Sequence, residues 1–261
     1  ATTQPPVVPG STCTSPVWQS SDNNGGWSIN GYYLHNNVWN AGAAGQGPQT
    51  TYGCSEKSWY VISTQTNVGD GSVKTYPNIH LDLPNAFTTG VPFNNYASIW
   101  STFAGVGPKT GIYNIAYDLW LNGVGWGNGH TEYMIWTENQ GQTPLGRYDS
   151  TVTISGYSWR AYWYNDGNAN VVSLVSPTTI AAGVLDLKAF IQWGINKGWI
   201  PANPSMNQFG FGVEVVSTNG QPLKYSFTDF SIKLSTTAIP PPVGTTSPPS
   251  TTTSTTTSPT T

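Results

Sequence analysis

The stretch Phe209-Gly210-Phe211-Gly212-Val213-Glu214-Val215-Val216 predicts a β-strand with two unlike faces. Every second residue from Phe209 to Val215 is large and apolar, which indicates a strand with one side in a core. The other side carries Gly210, Gly212 and Glu214, and glycines beside a carboxylate leave room for a ligand close to the backbone. A mid-strand glutamate also fits a solvated or paired charge, so this strand alone leaves both interpretations open.

Outward from this strand, short β-prone runs alternate with turn residues along the chain. The runs are 32–34, 59–62, 79–83, 112–121, 133–137, 150–154, 158–164, 171–175, 208–216 and 225–234. Clusters rich in Gly, Asn and Asp separate them at 23–26, 69–71, 165–168 and 219–220. Many short strands with regular turns predict an all-β sandwich or barrel.

One segment, residues 185–198, predicts a helix instead. Its apolar side chains at positions 187, 190, 191 and 195 follow helical spacing. Asp186 is suited to cap its start, and Lys197-Gly198 is suited to its end. We therefore expect a single helix packed against a sandwich.

The composition points to a neutral ligand. Only 8% of the 261 residues are charged, the net charge is −3, and no basic patch exists, which argues against nucleic acid as a partner. The chain contains 12 Trp and 14 Tyr. Aromatic faces with neutral polar groups suit a polyhydroxylated ligand such as a sugar. The alternative is that the aromatic residues are core, and we expect most to be core and a minority to line a site.

Several features favour a secreted, extracellular protein. Cys13 and Cys54 are the two cysteines, and they are either one disulfide or two unrelated thiols; an oxidising compartment favours the disulfide. No run of 18 apolar residues predicts a membrane span. The start, Ala1-Thr2-Thr3-Gln4, resembles a mature N-terminus after signal cleavage.

The two ends of the chain differ from its body. Residues 236–261 are rich in Pro, Ser and Thr without charge or aromatic residues, which predicts an extended linker. We expect it to lead to a further module, a carbohydrate-binding module above all. Residues 1–12 predict a shorter tail, so the domain prediction covers residues 13–235, and we expect a monomer.

A second mid-strand glutamate lies in Thr131-Glu132-Tyr133-Met134-Ile135-Trp136. Period-two alternation places Glu132, Met134 and Trp136 on one face, with the other face in the core. A carboxylate, a thioether and an indole together predict a sugar subsite with a reactive centre. Two such strands, each with glycines or aromatics in phase with a glutamate, favour function over a solvated charge.

Paired carboxylates are what glycoside hydrolysis requires. One must be protonated to protonate the leaving oxygen, and the other must be ionised to attack or to activate water. Asp118, in Tyr117-Asp118-Leu119-Trp120, is a third strand carboxylate that shares a face with Asn114, Ala116 and Trp120. An Asp beside the nucleophile would share a proton or tune its pKa; a polar outer-face residue is the alternative.

Other chemistries lack their residues. The three histidines, His35, His80 and His130, have no metal-ligand spacing. No G-x-S-x-G elbow and no phosphate-binding loop is present. We therefore predict no metal and no cofactor.

At these residues the chain resembles glycoside hydrolase family 12, the retaining endo-β-1,4-glucanases and xyloglucanases. The resemblance covers roughly residues 13–234. It rests on the motifs TEYMIW at 131–136, NNVW at 36–39, VKTYPN at 73–78, YDL at 117–119 and PLG at 144–146, and on the cysteine pair. The chain departs from the family at Val215-Val216, where Pro or Ala and an aromatic residue often follow the second glutamate.

The resemblance implies a β-jelly roll of two curved antiparallel sheets with a substrate cleft on the concave face. It implies that Glu132 is the nucleophile, Glu214 the general acid/base, and Asp118 the neighbour of the nucleophile. It further implies a Cys13–Cys54 disulfide. The residues it implies as cleft-lining are Asn37, Trp39, Met134, Trp136 and, by a looser match, Trp27.

The function expected is cleavage of internal β-1,4-glucosidic bonds of cellulose-type glucans with retention of configuration. A xyloglucan-specific enzyme and another jelly-roll glycosidase such as a xylanase are the enzymatic alternatives. A non-catalytic carbohydrate-binding module or lectin would explain the aromatics and the linker, but not two glutamates facing one cleft.

Overall fold

The computed structural model describes residues 10–242 as two stacked β-sheets with one helix. The strands are β1 (Trp18–Ser20), β2 (Gly26–Ile29), β3 (Tyr32–His35), β4 (Gln46–Gly53), β5 (Trp59–Gln65), β6 (Asn78–Asp82), β7 (Val91–Pro92), β8 (Ser98–Val106), β9 (Ile112–Leu121), β10 (Thr131–Gln140), β11 (Arg147–Ile154), β12 (Tyr157–Asn165), β13 (Asn170–Val175), β14 (Ala182–Asp186), β15 (Ser205–Ser217) and β16 (Leu223–Ser235). A 3₁₀ turn spans Phe93–Asn95, and the helix α1 spans Leu187–Asn196.

The strands form two sheets. The outer sheet has the order β1-β4-β5-β16-β8-β14, and the cleft sheet has the order β11-β12-β13-β10-β9-β15-β6-β3-β2, with β7 added at the end of β15. All pairs are antiparallel except β10–β13, which is parallel. The predicted all-β jelly-roll sandwich with one helix is confirmed, with this one parallel pair as an exception to antiparallel sheets.

The core between the sheets is aromatic. Phe211 of β15 lies at its centre, with ring centroids 4.8 Å from Tyr117 and 5.5 Å from Phe227. Trp59 stacks on Phe227 at 4.0 Å. The alternation in 209–216 places Phe209, Phe211, Val213 and Val215 in this core, fully buried. Burial of such large rings, each stabilising by about 2 kcal/mol or more, holds the two sheets together.

The helix supports the strand that carries Glu132. Asp186 caps it, accepting a hydrogen bond from the Ala189 N–H at 3.0 Å, as the sequence predicts. Gly198 follows its end with φ of 72°, a left-handed conformation that glycine adopts without strain. The Tyr133 hydroxyl donates to the Phe190 carbonyl at 2.7 Å, so α1 holds β10 from the core side.

The strands that sequence reasoning missed are short or polar. All ten predicted runs lie in strands, but β1, β2, β4, β7, β8 and β14 had no prediction. β4 reads QGPQTTYG and β8 reads SIWSTFAGV, and neither has sustained alternation of apolar and polar residues. Tertiary pairing with β5 and β16 makes them strands despite this weak local signal.

Three predictions concern the ends of the chain. Cys13 and Cys54 form the predicted disulfide, with Cα atoms 5.5 Å apart. The Ile239 N–H donates to Ser98 Oγ at 3.0 Å, so the first residues of the predicted linker lie against the outer sheet. Most of the predicted tail and linker, residues 1–9 and 243–261, lies outside the described residues. Within residues 10–242, no helix has the length and apolar character of a membrane span.

Candidate active site

Three carboxylates lie on neighbouring strands and on one face of the cleft sheet. Asp118 is on β9, Glu132 on β10 and Glu214 on β15, with β9 between the other two. Met134 lies opposite Asp118 across one strand boundary, and Gly210 lies opposite it across the other. Since directly paired residues share a face, the alternation predicted for all three strands is confirmed.

The two glutamates lie at different heights on the sheet. Glu132 pairs with Trp120 and Glu214 pairs with Asn114, six positions away on β9. Along a flat strand that offset would be about 20 Å. Burial and then the Glu214 charge raise the pKa of Glu132, so the two carboxylates interact electrostatically across this offset. Both glutamates therefore belong to one face of the cleft sheet, with Asp118 of β9 between them.

The Glu132 carboxylate has one partner outside the sheet. The Trp126 indole N–H donates to its Oε2 at 2.6 Å. Trp126 belongs to the loop between β9 and β10 and is 58% exposed. The other oxygen, Oε1, has no hydrogen-bond partner among residues 10–242, so it is available to a ligand.

The Glu214 carboxylate is held by two side-chain amides. The Asn114 Nδ2 donates to its Oε2 at 2.6 Å, and the Gln142 Nε2 donates to the same oxygen at 3.1 Å. The amide oxygens of Asn114 and Gln142 are buried without a partner in the described part of the chain. Buried polar atoms require partners, so these oxygens are positions for water or for ligand hydroxyls.

Asp118 is the most buried of the three, at 7% exposure. Burial raises its pKa well above the usual range, the charges of Glu132 and Glu214 raise it further, and the Trp120 indole opposes the shift. Its Oδ1 has no hydrogen-bond partner among the described residues. Asp118 is therefore harder to ionise than a free aspartate side chain.

Both glutamates are also harder to ionise than a free side chain. Burial, followed by the Glu214 charge, raises the pKa of Glu132 to about 7, while the Trp126 hydrogen bond lowers it. Burial raises the pKa of Glu214, and its hydrogen bonds from Asn114 and Gln142 oppose the shift. Burial thus favours the protonated form of both carboxyl groups, and a protonated carboxyl group is what acid catalysis requires.

The floor between the glutamates is apolar. Met134 and Trp136 lie on the same face as Glu132, as expected, but only 4% and 2% of their surfaces are exposed. They pack with Ala116 and Val175, and the Trp136 indole N–H points to the Met134 sulfur at 3.4 Å. Their place on the cleft face fits the prediction, but they form the packed floor of the cleft rather than open platforms.

The two glycines of β15 differ in the space they leave. A Cβ on Gly210 would lie 3.5 Å or more from its neighbours, which is ordinary contact. A Cβ on Gly212 would lie 2.2 Å from the Pro77 carbonyl oxygen. Only Gly210 leaves room on the cleft side, whereas at Gly212 the neighbouring chain already occupies the space.

The predicted binding residues near the N-terminus separate into two groups. Asn37 has φ of 42° and donates from Nδ2 to the Tyr76 carbonyl at 3.0 Å. Trp39, two residues further on, is 58% exposed. The prediction for Trp27 is wrong. It pairs with Leu34 on the core side of β2 and stacks on Trp18, with ring centroids 6.0 Å apart. Trp27 therefore packs between the sheets and does not face the cleft.

Trp126 and Gln142 are site residues that sequence reasoning missed. Both lie in loops, where strand periodicity carries no information. One signal was available: Trp126 is flanked by glycines at 123, 125, 127 and 129, and such a loop cannot bury an indole in a core. The buried Tyr76 was also missed; its hydroxyl donates to the Ala116 carbonyl at 3.0 Å, and burial, followed by the charges of all three carboxylates, raises its pKa.

A histidine of β6 lies on the same face of the cleft sheet. His80 pairs with Gly210, and its Nδ1 lies 2.8 Å from Asn78 Oδ1. Burial lowers the pKa of His80 to about 4, so it is neutral in the cleft. Among residues 10–242, no group of three or more His, Cys, Asp or Glu side chains is arranged to hold a metal ion.

A β-sandwich with three carboxylates and apolar side chains on one face fits a class of proteins, the sandwich-fold glycoside hydrolases, whose chemistry uses paired carboxyl groups. The model of glycosyl hydrolase family 12 matches residues 30–235 of this chain. The chain belongs to glycosyl hydrolase family 12, as the sequence motifs predict.

Relatives in this family carry two kinds of name. Endoglucanase S of Pectobacterium parmentieri is 29% identical over 212 residues, covering 74% of this chain and 78% of that protein. Xyloglucan-specific endo-beta-1,4-glucanase 1 of Phytophthora nicotianae (strain INRA-310) is 27% identical over 212 residues, covering 76% of this chain and 85% of that protein.

Solved structures agree with the fold. The xyloglucanase domain of NopAA from Sinorhizobium fredii, in complex with cellobiose, superposes with a TM-score of 0.72 at 27% identity, covering 84% of this chain and 100% of that one. The catalytic domain of Humicola grisea Cel12A, with a soaked thio cellotetraose, superposes with a TM-score of 0.73 at 26% identity, covering 84% and 99%.

Proposed function

We propose that this protein is an endo-acting glycoside hydrolase that cleaves internal β-1,4-glucosidic bonds with retention of configuration. One observation carries the proposal: Glu132 and Glu214 lie on one face of the cleft sheet with a single strand between theirs, and each has one oxygen fixed by hydrogen bonds from neighbouring side chains. Retaining enzymes use two carboxyl groups roughly 5–5.5 Å apart, one as nucleophile and one as acid and then base. Membership of family 12 supports this chemistry.

In the proposed reaction Glu132 attacks the anomeric carbon while Glu214 donates its proton to the leaving oxygen. A glycosyl-enzyme ester on Glu132 results, and the first product leaves. Glu214, now ionised, removes a proton from water, which attacks the same carbon and frees Glu132. Two inversions give net retention.

The raised pKa of Glu132 is compatible with its role as nucleophile. Part of that rise comes from the negative charge of Glu214. When Glu214 carries the proton, this repulsion vanishes, the pKa of Glu132 falls, and Glu132 becomes the ionised partner. In such a coupled pair the titration belongs to both groups together. The resemblance of the TEYMIW motif to the family's nucleophile strand supports the assignment of the shared proton to Glu214.

The roles are separated by comparing Glu132→Gln with Glu214→Gln on natural glucan and on an aryl β-cellobioside. Both variants should lose at least a thousandfold in kcat on glucan. An aryl leaving group needs no acid, so Glu214→Gln should still form the glycosyl-enzyme from the aryl substrate, and azide should restore its turnover. Glu132→Gln should remain inactive on both substrates. A fully active Glu132→Gln would refute the mechanism.

Cellulose-type glucan is the proposed substrate, and xyloglucan is a second candidate because one of the relatives above is named for it. The exposed face of Trp39 and the space above Gly210 would accept a glucan chain. Product release from carboxymethylcellulose, barley glucan, xyloglucan and xylan separates these choices. Binding to these glycans without release of reducing ends would instead support a lectin.

The remaining expectations stand as proposals. The Cys13–Cys54 disulfide supports a secreted protein, since such bonds persist in oxidising compartments. We propose residues 13–235 as the catalytic domain, residues 1–12 as a tail and residues 236–261 as a linker towards a carbohydrate-binding module. A monomer is proposed, which sedimentation analysis of the purified protein tests.

A further inference from the structure

We propose that Trp126 is a positioning residue of the catalytic centre, and that the loop from Asn122 to His130 is built to bring its indole N–H to Oε2 of Glu132. The proposal rests on the role of Glu132 in the proposed function. The hydrogen bond of 2.6 Å is the contact that carries it.

The loop is shaped by residues that permit unusual backbone angles. Asn122, Gly123, Gly125 and Gly129 all have positive φ, between 61° and 138°. A side chain other than Asn or Asp is strained in this region, so the glycines allow the chain to turn tightly. Trp126 is the single large side chain among residues 125–129, and it points back to the sheet through its N–H.

His130 holds this loop in shape. Its ring lies against Gly123 and Gly127, where an added Cβ would come within 2.3 Å and 3.0 Å of ring atoms. The Nδ1 atom of the His130 ring also lies 2.8 Å from the Gly125 carbonyl oxygen. His130, which sequence reasoning left without a role, thus fixes the backbone on both sides of Trp126.

A second anchor comes from the neighbouring strand. The Gly123 N–H donates to Asn207 Oδ1 at 2.9 Å, and the Asn207 Nδ2 donates to the Ala86 carbonyl at 2.7 Å. Asn207 is fully buried and lies on β15, the strand that carries Glu214. The loop that holds Trp126 is therefore tied to the strand of the second glutamate.

Exposure argues against a packing role for Trp126. Of the 12 tryptophans, only Trp39 and Trp126 are exposed large side chains, each at 58%. An indole that is mostly in solvent contributes little to the core, yet its one polar atom makes a short bond to a carboxylate. A hydrogen bond to an ionised acceptor is about twice as strong as a neutral one, so this contact favours ionised Glu132.

The bond also fixes which oxygen reacts. With Oε2 engaged by Trp126, Oε1 is the oxygen free to bond to the anomeric carbon. Oε2 then becomes the ester carbonyl oxygen of the glycosyl-enzyme. Because the N–H binds a carboxylate more strongly than an ester, the contact assists the second step, in which Glu132 leaves as a carboxylate.

Other groups also act on the ionisation of Glu132. Glu214 of β15 raises the pKa of Glu132, Asp118 lies on the adjacent strand β9, and the charges of all three carboxylates act on buried Tyr76. Glu132 pairs with Trp120, Trp120 with Gln208, and Gln208 with Asp82 of β6, so Asp82 lies in the same cross-strand row as Glu132. His130 belongs to the loop that carries Trp126. A test must therefore observe Glu132 directly.

The chain has only four glutamates: Glu56, Glu132, Glu138 and Glu214. Labelling glutamate with ¹³C at the carboxyl carbon gives four resonances, and Glu132→Gln assigns the one of interest. Trp126→Phe keeps an aromatic ring at this position and removes the N–H. The Glu132 resonance should then titrate higher by roughly half to one pH unit, the size expected for one charge-assisted hydrogen bond at a partly exposed site. An unchanged titration overturns the proposal.

Kinetics supply the second measurement. In Trp126→Phe the acidic limb of kcat/KM on an aryl β-cellobioside should move upward by the same interval, and kcat should fall about threefold to tenfold where deglycosylation limits turnover. Trp100→Phe is the matched control, because it also loses an indole hydrogen bond, to the Ile239 carbonyl, on the outer sheet. If Trp126 only stacked on sugar, Trp126→Phe would raise KM and leave both pH curves unchanged, which would count against the proposal.

The experiments distinguish a failure of the proposed glycoside hydrolase function from a failure of the proposed role of Trp126. If the protein cleaves no glucan, the proposed function fails while the ¹³C titration still reports on the contact between Trp126 and Glu132. If glucan is cleaved but Trp126→Phe titrates and reacts as the parent protein does, only the role of Trp126 fails. Trp126 is exposed, so the variant should fold, and equal melting temperatures verify this.

Discussion

The two glycines on the cleft side of β15 give a matched pair of substitutions with opposite outcomes. In Gly212→Ala the added methyl would lie 2.2 Å from the Pro77 carbonyl oxygen and 2.6 Å from the Asn78 Cβ. Ordinary contacts are longer by about 1 Å, and the nearer of the two neighbours is backbone, which cannot rotate away. Overpacking of this kind costs about 3 kcal/mol.

In Gly210→Ala the same methyl meets its nearest neighbour, the His80 Cβ, at 3.5 Å. The fold accommodates it, and the loss of glycine's freedom in the unfolded chain stabilises by about 0.5–1 kcal/mol. The methyl instead stands on the cleft floor beside Asp118, where the substrate must pass. A displacement of bound sugar by about 1 Å costs up to a hundredfold in rate, so we expect kcat/KM to fall at least tenfold.

The assay is a comparison of melting temperature and kcat/KM for the two variants and the parent protein. For a domain of this size about 3 kcal/mol lowers the melting temperature by roughly 6–12 °C. Gly212→Ala should show that loss, while Gly210→Ala should melt within a few degrees of the parent and lose activity. Equal melting temperatures for both variants, or full activity of Gly210→Ala, would refute this account of the cleft floor.

Two further predictions concern stability. The pKa of Glu132 rises from 4.5 to about 7 on folding, so the folded state binds the proton more tightly and the contribution of Glu132 to stability is lost as the pH rises from 4.5 to 7. Glu132→Gln should therefore raise the unfolding free energy at pH 8 but not at pH 4, by about 1–3 kcal/mol in calorimetry after allowance for solvent screening. The opposite pH trend would contradict the burial described. Cys54→Ser opens a loop with a sequence separation of 41 residues and should cost about 4 kcal/mol of unfolding free energy, measured in guanidinium; an unchanged midpoint would contradict it.

How far the sequence predicts the site depends on whether a residue lies in a strand or in a loop. Alternation alone placed Glu132, Glu214 and Asp118 on the cleft face, because side chains of a strand point alternately to its two sides. The same rule places Trp27 opposite the cleft, since its neighbour Gly26 pairs with His35 on the cleft side.

The alternation of side chains along a strand does not apply to loop residues. Trp126 and Gln142 reach the glutamates only because turns of particular shape bring them there, and no periodicity encodes those turns. The same limit applies to Met134 and Trp136, whose side of the strand is predictable but whose burial depends on the neighbouring Ala116 and Val175. Gly212 is a third case, since the chain that fills the space beside it comes from a segment 135 positions earlier, at Pro77.

The position of β9 between β10 and β15 has a consequence for the order in which the molecule assembles. Glu132 and Glu214 are 82 positions apart in the chain (214 − 132), yet one strand separates them in the sheet. β9 and β10 are consecutive and pair early at low entropic cost, whereas β15 must return from far along the chain to complete the centre. Activity should therefore appear as one of the last events of refolding, and its recovery reports docking of β15 rather than formation of the sheet that receives it.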